Sequence, residues 1–197
     1  MGNFYIADTH FGHTNVIKFD NRPFGSVEEM NSALIERWNN AVSNTDTVYI
    51  LGDWIWCKPN SVEYIEIVRA LNGSKVLILG NHDPKSVNKE LRHAAKLMEI
   101  TPYKEITDNQ KHVIMCHYPI PFHKGAYNEN CYMLYGHVHN TREWDFVEKL
   151  RKEVRETCHE RGDARGQFIN VGACMPYMDY TPRTLEEIIE GEKAVCI

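Results

Sequence analysis

Hydrophobic residues in this chain fall into two patterns. Short, nearly unbroken apolar runs predict strands buried on both faces at Phe4–Ala7, Thr47–Leu51 and Lys75–Leu79. Further strands are expected near 100–106, at 112–116, at Tyr132–Tyr135 and at Gln167–Val171. Between them, apolar residues recur at helical spacing. Ser26-Val27-Glu28-Glu29 fits an N-cap and capping box, opening a helix to about Val42 with Met30, Leu34, Ile35 and Trp38 on one face. A second helix is expected over Asn60–Leu71, stopped by Asn72-Gly73, and a third over 86–97. Glu143 to about Glu160 is strongly charged, with Trp144, Val147, Leu150 and Val154 as its stripe; it should lie on the surface beside a sheet. A short last helix, capped by Thr184, should run to Glu190. Strand–helix alternation in the first half implies parallel strands with helical crossovers. The strand-rich second half implies a mixed or antiparallel sheet.

What stands at the ends of the strands changes the picture. FYIADTH closes the first strand with Asp8 and His10, VYILGD the second with Asp53, and VLILGNHD the third with Asn81, His82 and Asp83. HVIMCH ends in His117, and YMLYGHVH in His137 and His139. Gly52, Gly80 and Gly136 precede three of these groups, where glycine permits a sharp turn and close approach of backbone to a ligand. Ligands of open α/β sheets bind beyond the carboxyl ends of the strands, so these groups should meet in space. Each has a bland reading: a strand-end histidine that satisfies its own loop, or an aspartate that forms a turn. Five strands ending this way at the same end make the structural reading alone improbable. The inventory is carboxylate, amide and imidazole without thiolate, which suits divalent transition metals. It exceeds one tetrahedral zinc and matches two metals sharing a bridging carboxylate, an arrangement that clamps both oxygens of an in-line displacement at phosphorus.

Composition sets the frame. The chain's 197 residues, 43% hydrophobic, suffice for one domain, taken as residues 1–197. The net charge of −5 speaks against an extended nucleic-acid or anionic-membrane footprint. No apolar run approaches the ~20 residues of a membrane helix. The first ten residues carry no secretion signal, so the six cysteines, none in a CxxC pair, are expected as reduced thiols of a cytoplasmic protein.

Asp8-x-His10, Gly52-Asp53, Gly80-Asn81-His82-Asp83, His117 and Gly136-His137-x-His139, in this order, resemble the five blocks of the calcineurin-like metallophosphoesterases. The segment INVGACMPYMDYTPRTLEEI resembles the C-terminal strand and helix of small bacterial and phage members. The resemblance implies an α/β fold, a four-layer α/β/β/α sandwich with a dimetal site between its sheets. It implies that Asp8, His10 and His139 hold one metal, that Asn81, His117 and His137 hold the other, and that Asp53 bridges them. The metals would be manganese, with iron, zinc, nickel and cobalt as alternatives. It implies attack on the ester by a hydroxide held on the metals, with His82 stabilising the transition state and protonating the leaving oxygen, and Asp83 orienting His82 or its loop. The run Asp53-Trp54-Ile55-Trp56 departs from relatives that carry a polar residue soon after this aspartate.

Candidates for contacts with the phosphate or its substituents are His13, Arg22, His123 and Arg142, each with a loop or surface role as its alternative. The expected substrate is a small phosphate ester, a nucleotide among the possibilities, with diesters favoured over monoesters. The alternatives are a nuclease or nucleic-acid end-processing enzyme, against which the net charge stands, and a non-catalytic scaffold of the same fold, which would have little need of His82.

Overall fold

The computed structural model describes residues 1–59, 61–159 and 166–195. Strands β1 (Asn3–Ile6), β2 (Thr47–Ile50), β3 (Ser74–Ile78) and β4 (Leu97–Thr101) form one sheet in that order, parallel throughout. Its connections carry helices α1 (Val16–Phe19), α2 (Val27–Ala41), α3 (Val62–Ala70) and α4 (Lys89–Ala94). The second sheet has the order β5 (Tyr103–Asp108), β6 (Lys111–Cys116), β7 (Cys131–Tyr135), β8 (Phe168–Asn170). Here β5 runs antiparallel to β6, while β6, β7 and β8 are parallel. Helix α5 (Arg142–His159) connects β7 to β8, and α6 (Leu185–Val195) follows. The two sheets and their flanking helices make a four-layer α/β/β/α sandwich.

Side-chain alternation in the second sheet explains the layering. Val113, Met115, Leu134 and Ile169 point into the main core with the first sheet. Their neighbours Ile114, Met133, Tyr135 and Phe168 point the other way, into a smaller cluster covered by Trp144 and Val147 of α5. The stripe on α5 is therefore what buries the sheet's outer face. Ser26 Oγ caps α2 by accepting the Glu29 N–H at 3.2 Å, but the Glu29 carboxylate reaches back to the Gly25 N–H rather than to Ser26. Thr184 and Glu187 close a reciprocal capping box on α6.

Most boundaries fall within a residue or two of the sequence pattern, and three elements depart from it further. The expected helix over 86–97 is confined to Lys89–Ala94, capped by Asn88. The expected strand at 100–106 is two strands in different sheets, because Pro102 has no N–H to continue a ladder and the chain changes sheets there. Helix α6 runs past Glu190 to Val195, held by buried Ile188 and Ile189 and by a Glu192–Arg151 ion pair. The expected helix start at Asn60, the end at Glu160, and Cys196 lie outside the described residues. The five described cysteines are free thiols. Among the described residues no helix is long and apolar enough to cross a membrane.

The sheets are joined where their parallel strands end. Ala7 N–H donates to the Val171 carbonyl and Ala173 N–H to the Ala7 carbonyl, both at 2.8 Å. This seam brings the loop after β1 against the loops after β7 and β8.

Candidate metal centre

The residues that follow β1, β2, β3 and β7 converge on a cleft of about 500 Å³, whose walls include His10, Asp53, Asn81, His82, His137 and His139. Asp8 and His117 are fully buried beside it. Asp53 Oδ2 lies 3.7 Å from His117 Nε2, 3.8 Å from His10 Nε2 and 4.0 Å from His82 Nε2. Asp8 Oδ1 lies 3.8 Å from His139 Nε2 and 3.9 Å from His117 Nδ1. Asp8, His10 and His139 each bring a donor atom within 4.8 Å of the others', and Asp8, Asp53 and His117 do the same. The His137 ring packs edge-on against His117 with centroids 5.0 Å apart, and its backbone N–H donates to Asp8 Oδ2 at 2.9 Å.

The backbone is bent to bring these groups in. Asp8, His10, Asp53, His137 and His139 all have positive φ, between 47° and 72°. Left-handed backbone costs such residues on the order of 1–2 kcal/mol each, so the loops hold them against local preference. Gly52, with φ of 88°, lets β2 turn directly under His117; a Cβ there would overlap the imidazole.

The donors fit a cation. Asp8 Oδ1 is buried and accepts no hydrogen bond, an arrangement that is costly unless a positive charge completes it. His117 Nδ1–H donates to the Leu51 carbonyl at 2.8 Å, which leaves Nε2 as a lone pair 3.0 Å from Asn81 Oδ1. Two acceptors then face the same point, as ligands of one ion do. Burial raises the Asp8 carboxyl to about 6, against the pull of His139 and His117. Burial, then the neighbouring His139, drives His10 far below the usual histidine range. Burial opposes charge on His139 as well, but its hydrogen bond to Asp20, with Cys174 and Asp8 behind it, holds it up at about 11. The His10 and His139 Nε2 atoms lie 3.3 Å apart, and His139 Nε2 is 3.8 Å from Asp8 Oδ1, so the two imidazoles and the carboxylate face one point.

Comparison with known proteins gives the family. The family model described as calcineurin-like phosphoesterase matches residues 4–163. The chain belongs to the calcineurin-like phosphoesterase family. It is 36% identical over 153 residues to an uncharacterized protein of Methanocaldococcus jannaschii, covering 77% of this chain and 78% of that one. It is 24% identical over 159 residues to a symmetrical bis(5'-nucleosyl)-tetraphosphatase of Colwellia psychrerythraea, covering 81% of this chain but 45% of that enzyme. A solved structure from Aquifex aeolicus, of a protein of unknown function, matches 95% of this chain and 97% of its own at a TM-score of 0.64 and 28% identity.

Around this Asp/His cluster of the phosphoesterase-family chain the remaining candidates part company. His13 lines the cleft, stacked on Trp56, and Arg142 is exposed at the start of α5 beside Thr141 of the cleft wall. Arg22 is a correction. It is buried, with Nε and Nη2 on Asp20 and Nη1 and Nη2 on the carbonyls of Thr9 and Asp8, so its donors are committed to protein rather than substrate. His123 is a second correction. It is buried against Cys131 and the Lys124 carbonyl. Cys131 pairs with His112 at the start of β6, so His123 sits at the end of the sheet opposite His117, roughly 15 Å away at the strand rise.

Asp83 serves the loop, not the His82 ring: its carboxylate accepts the N–H groups of Asp53, Gly80 and Trp54 at 2.8–3.0 Å. That side chain ties the loops after β2 and β3 together, and the bond from the His82 N–H to Asp53 Oδ1 adds a second tie. In the run Asp53–Trp56, Trp54 is buried core, and of the two tryptophans it is Trp56 that faces the cleft beside Asp53. Sequence reasoning missed Asp20, which accepts the His139 Nδ1–H at 2.8 Å. Its only signal was a carboxylate two residues before Arg22 in a loop assigned to substrate.

Proposed function

We propose that this chain hydrolyses a small phosphodiester with the help of two divalent transition-metal ions, manganese foremost. The observation that carries the reading is the pair of donor groups sharing Asp8, whose buried Oδ1 has no protein partner. Asp8, His10 and His139 would hold one ion, Asn81, His117 and His137 the other, and Asp53 would lie between them. Such ions supply Lewis acidity toward the phosphoryl oxygens. His82 has a side chain 45% exposed to the cleft, and its backbone N–H is tied to Asp53 Oδ1 at 3.0 Å. Its ring holds the proton that the leaving oxygen takes, a role worth about 10²–10⁴ in rate. Asp83 keeps the two loops, and therefore His82 and Asp53, in register. The Colwellia relative acts on a dinucleoside tetraphosphate, which favours a nucleotide-type ester. The net charge of −5 disfavours a long nucleic acid.

The test is hydrolysis of bis-p-nitrophenyl phosphate against p-nitrophenyl phosphate by metal-stripped protein with Mn²⁺ returned. Metal-dependent diester turnover supports the proposal. Turnover of the monoester alone makes the chain a phosphatase, and turnover of neither contradicts the reading.

A further inference from the structure

We propose that the rim of the cleft is an aromatic subsite that stacks a planar ring carried by the substrate, a nucleobase or an aryl group. This rests on the phosphoesterase reading and deepens it. The rings of His13 and Trp56 lie parallel, with centroids 3.9 Å apart and planes 6° apart. Phe19 meets His13 edge-on at 6.3 Å, and Trp56 leans on His82 at 4.5 Å. Trp56 is 43% exposed and Phe19 73% exposed. Single exposed apolar residues need no explanation. These two line the same cleft as Asp53, His82 and His137, with Asn15 beside them to meet a polar ring edge.

The platform is braced by protein contacts on its backbone and on one ring face. Trp56 N–H donates to the Phe11 carbonyl at 2.8 Å, and Phe11 bridges Ile55, so the indole stands on a strand-like pair. His13 covers one side of that indole and fixes its plane. A ring held ready in this way loses little freedom when another ring stacks on it. Flat rings gain from offset stacking on indole in addition to buried area, whereas an alkyl substituent gains area alone. Position matters as much as chemistry. Trp56 touches His82, and His82 Nε2 is 4.0 Å from Asp53 Oδ2. A ring on Trp56 is therefore carried by a substituent of the very phosphorus that the Asp/His cluster faces. A cleft of about 500 Å³ suits one nucleotide-sized ligand rather than several stacked bases.

The test is calorimetric binding of AMP, phenyl phosphate and ribose 5-phosphate to the full chain with Mn²⁺, in the wild type and in Trp56→Leu and Trp56→Tyr. The two ring-bearing esters, or one of them, should bind at least about fivefold tighter than ribose 5-phosphate. Trp56→Leu should remove that preference and Trp56→Tyr should keep most of it. A preference for AMP over phenyl phosphate assigns the ring as a nucleobase, and the reverse assigns it as an aryl group. Equal binding of all three by the wild type overturns the proposal, even if the leucine variant fails to fold. So does a preference that survives Trp56→Leu. Ring preference without hydrolysis of any ester would contradict the phosphoesterase reading alone. Hydrolysis without ring preference would contradict the subsite alone.

Discussion

Asp20 accepts the His139 Nδ1–H at 2.8 Å, while Arg22 grips the same carboxylate through Nε at 3.0 Å and Nη2 at 2.8 Å. The chain Arg22–Asp20–His139 fixes the tautomer and aim of an imidazole whose Nε2 faces His10 and Asp8. Carboxylates behind metal-binding imidazoles are typically worth about 10–100-fold in metal affinity. Asp20→Asn should therefore lose metal by about that factor, measured by competition with a chelator. A purely structural role would lower the melting temperature and leave the affinity unchanged.

His82 and Asp83 are neighbours with opposite expected phenotypes. His82→Ala should keep its fold and its metals while turnover of a diester with a poor leaving group drops about 10²–10⁴-fold. Asp83→Asn should lose part of a three-donor clamp at a buried site, costing about 2–4 kcal/mol in urea denaturation. If the His82 variant lost stability and the Asp83 variant did not, the assignments would be reversed.

Arg22 and His123 separate bracing from recognition. Arg22→Ala removes the two guanidinium hydrogen bonds from the buried Asp20 carboxylate, leaving it only His139, and should cost about 2–3 kcal/mol of stability. His123→Ala lies at the far end of the second sheet and should leave KM for any phosphate ester within about twofold, because no ligand in the cleft reaches it. Steady-state kinetics and thermal melts on the two variants check both statements.

Lys75 gives a pH dependence independent of the centre. It is fully buried, its ammonium donating to the carbonyls of Leu71 and Gly73 at 2.6 and 2.9 Å. Burial, then the nearby Lys96, lowers it to about 7. Between about 7 and the unfolded value near 10.4 the unfolded chain binds the extra proton, so this group makes stability rise with pH across that window. Its cost is fully present below pH 7. Lys75→Met should therefore stabilise the protein more at pH 6 than at pH 9.5, by a few kcal/mol, in denaturant titrations at the two pH values.

The strand ends were legible because buried parallel strands read as apolar runs, and the polar residue that breaks each run marks where the chain surfaces. That logic located Asp8, Asp53, Asn81, His117 and His137 without any knowledge of contacts. It failed where a side chain's role depends on which way it faces. Arg22 and His123 carry the right chemistry for phosphate, yet one is turned inward onto Asp20 and the other hangs from the wrong end of β7. Asp20 escaped notice because its partner lies 119 residues away, joined only by tertiary structure. Pro102 was readable as a breaker, but a switch between sheets leaves no periodic trace. The left-handed backbone at Asp8, His10, Asp53, His137 and His139 was also invisible, since propensity disfavours it and the fold imposes it.

The most direct measurement titrates metal-stripped protein with Mn²⁺ while following both metal bound and bis-p-nitrophenyl phosphate hydrolysed, in the wild type and in Asp53→Asn. The account expects activity to appear as the second equivalent binds, and Asp53→Asn to bind both equivalents weakly with little turnover. Saturation without hydrolysis, or an Asp53→Asn protein that binds two equivalents as tightly as the wild type, would contradict it.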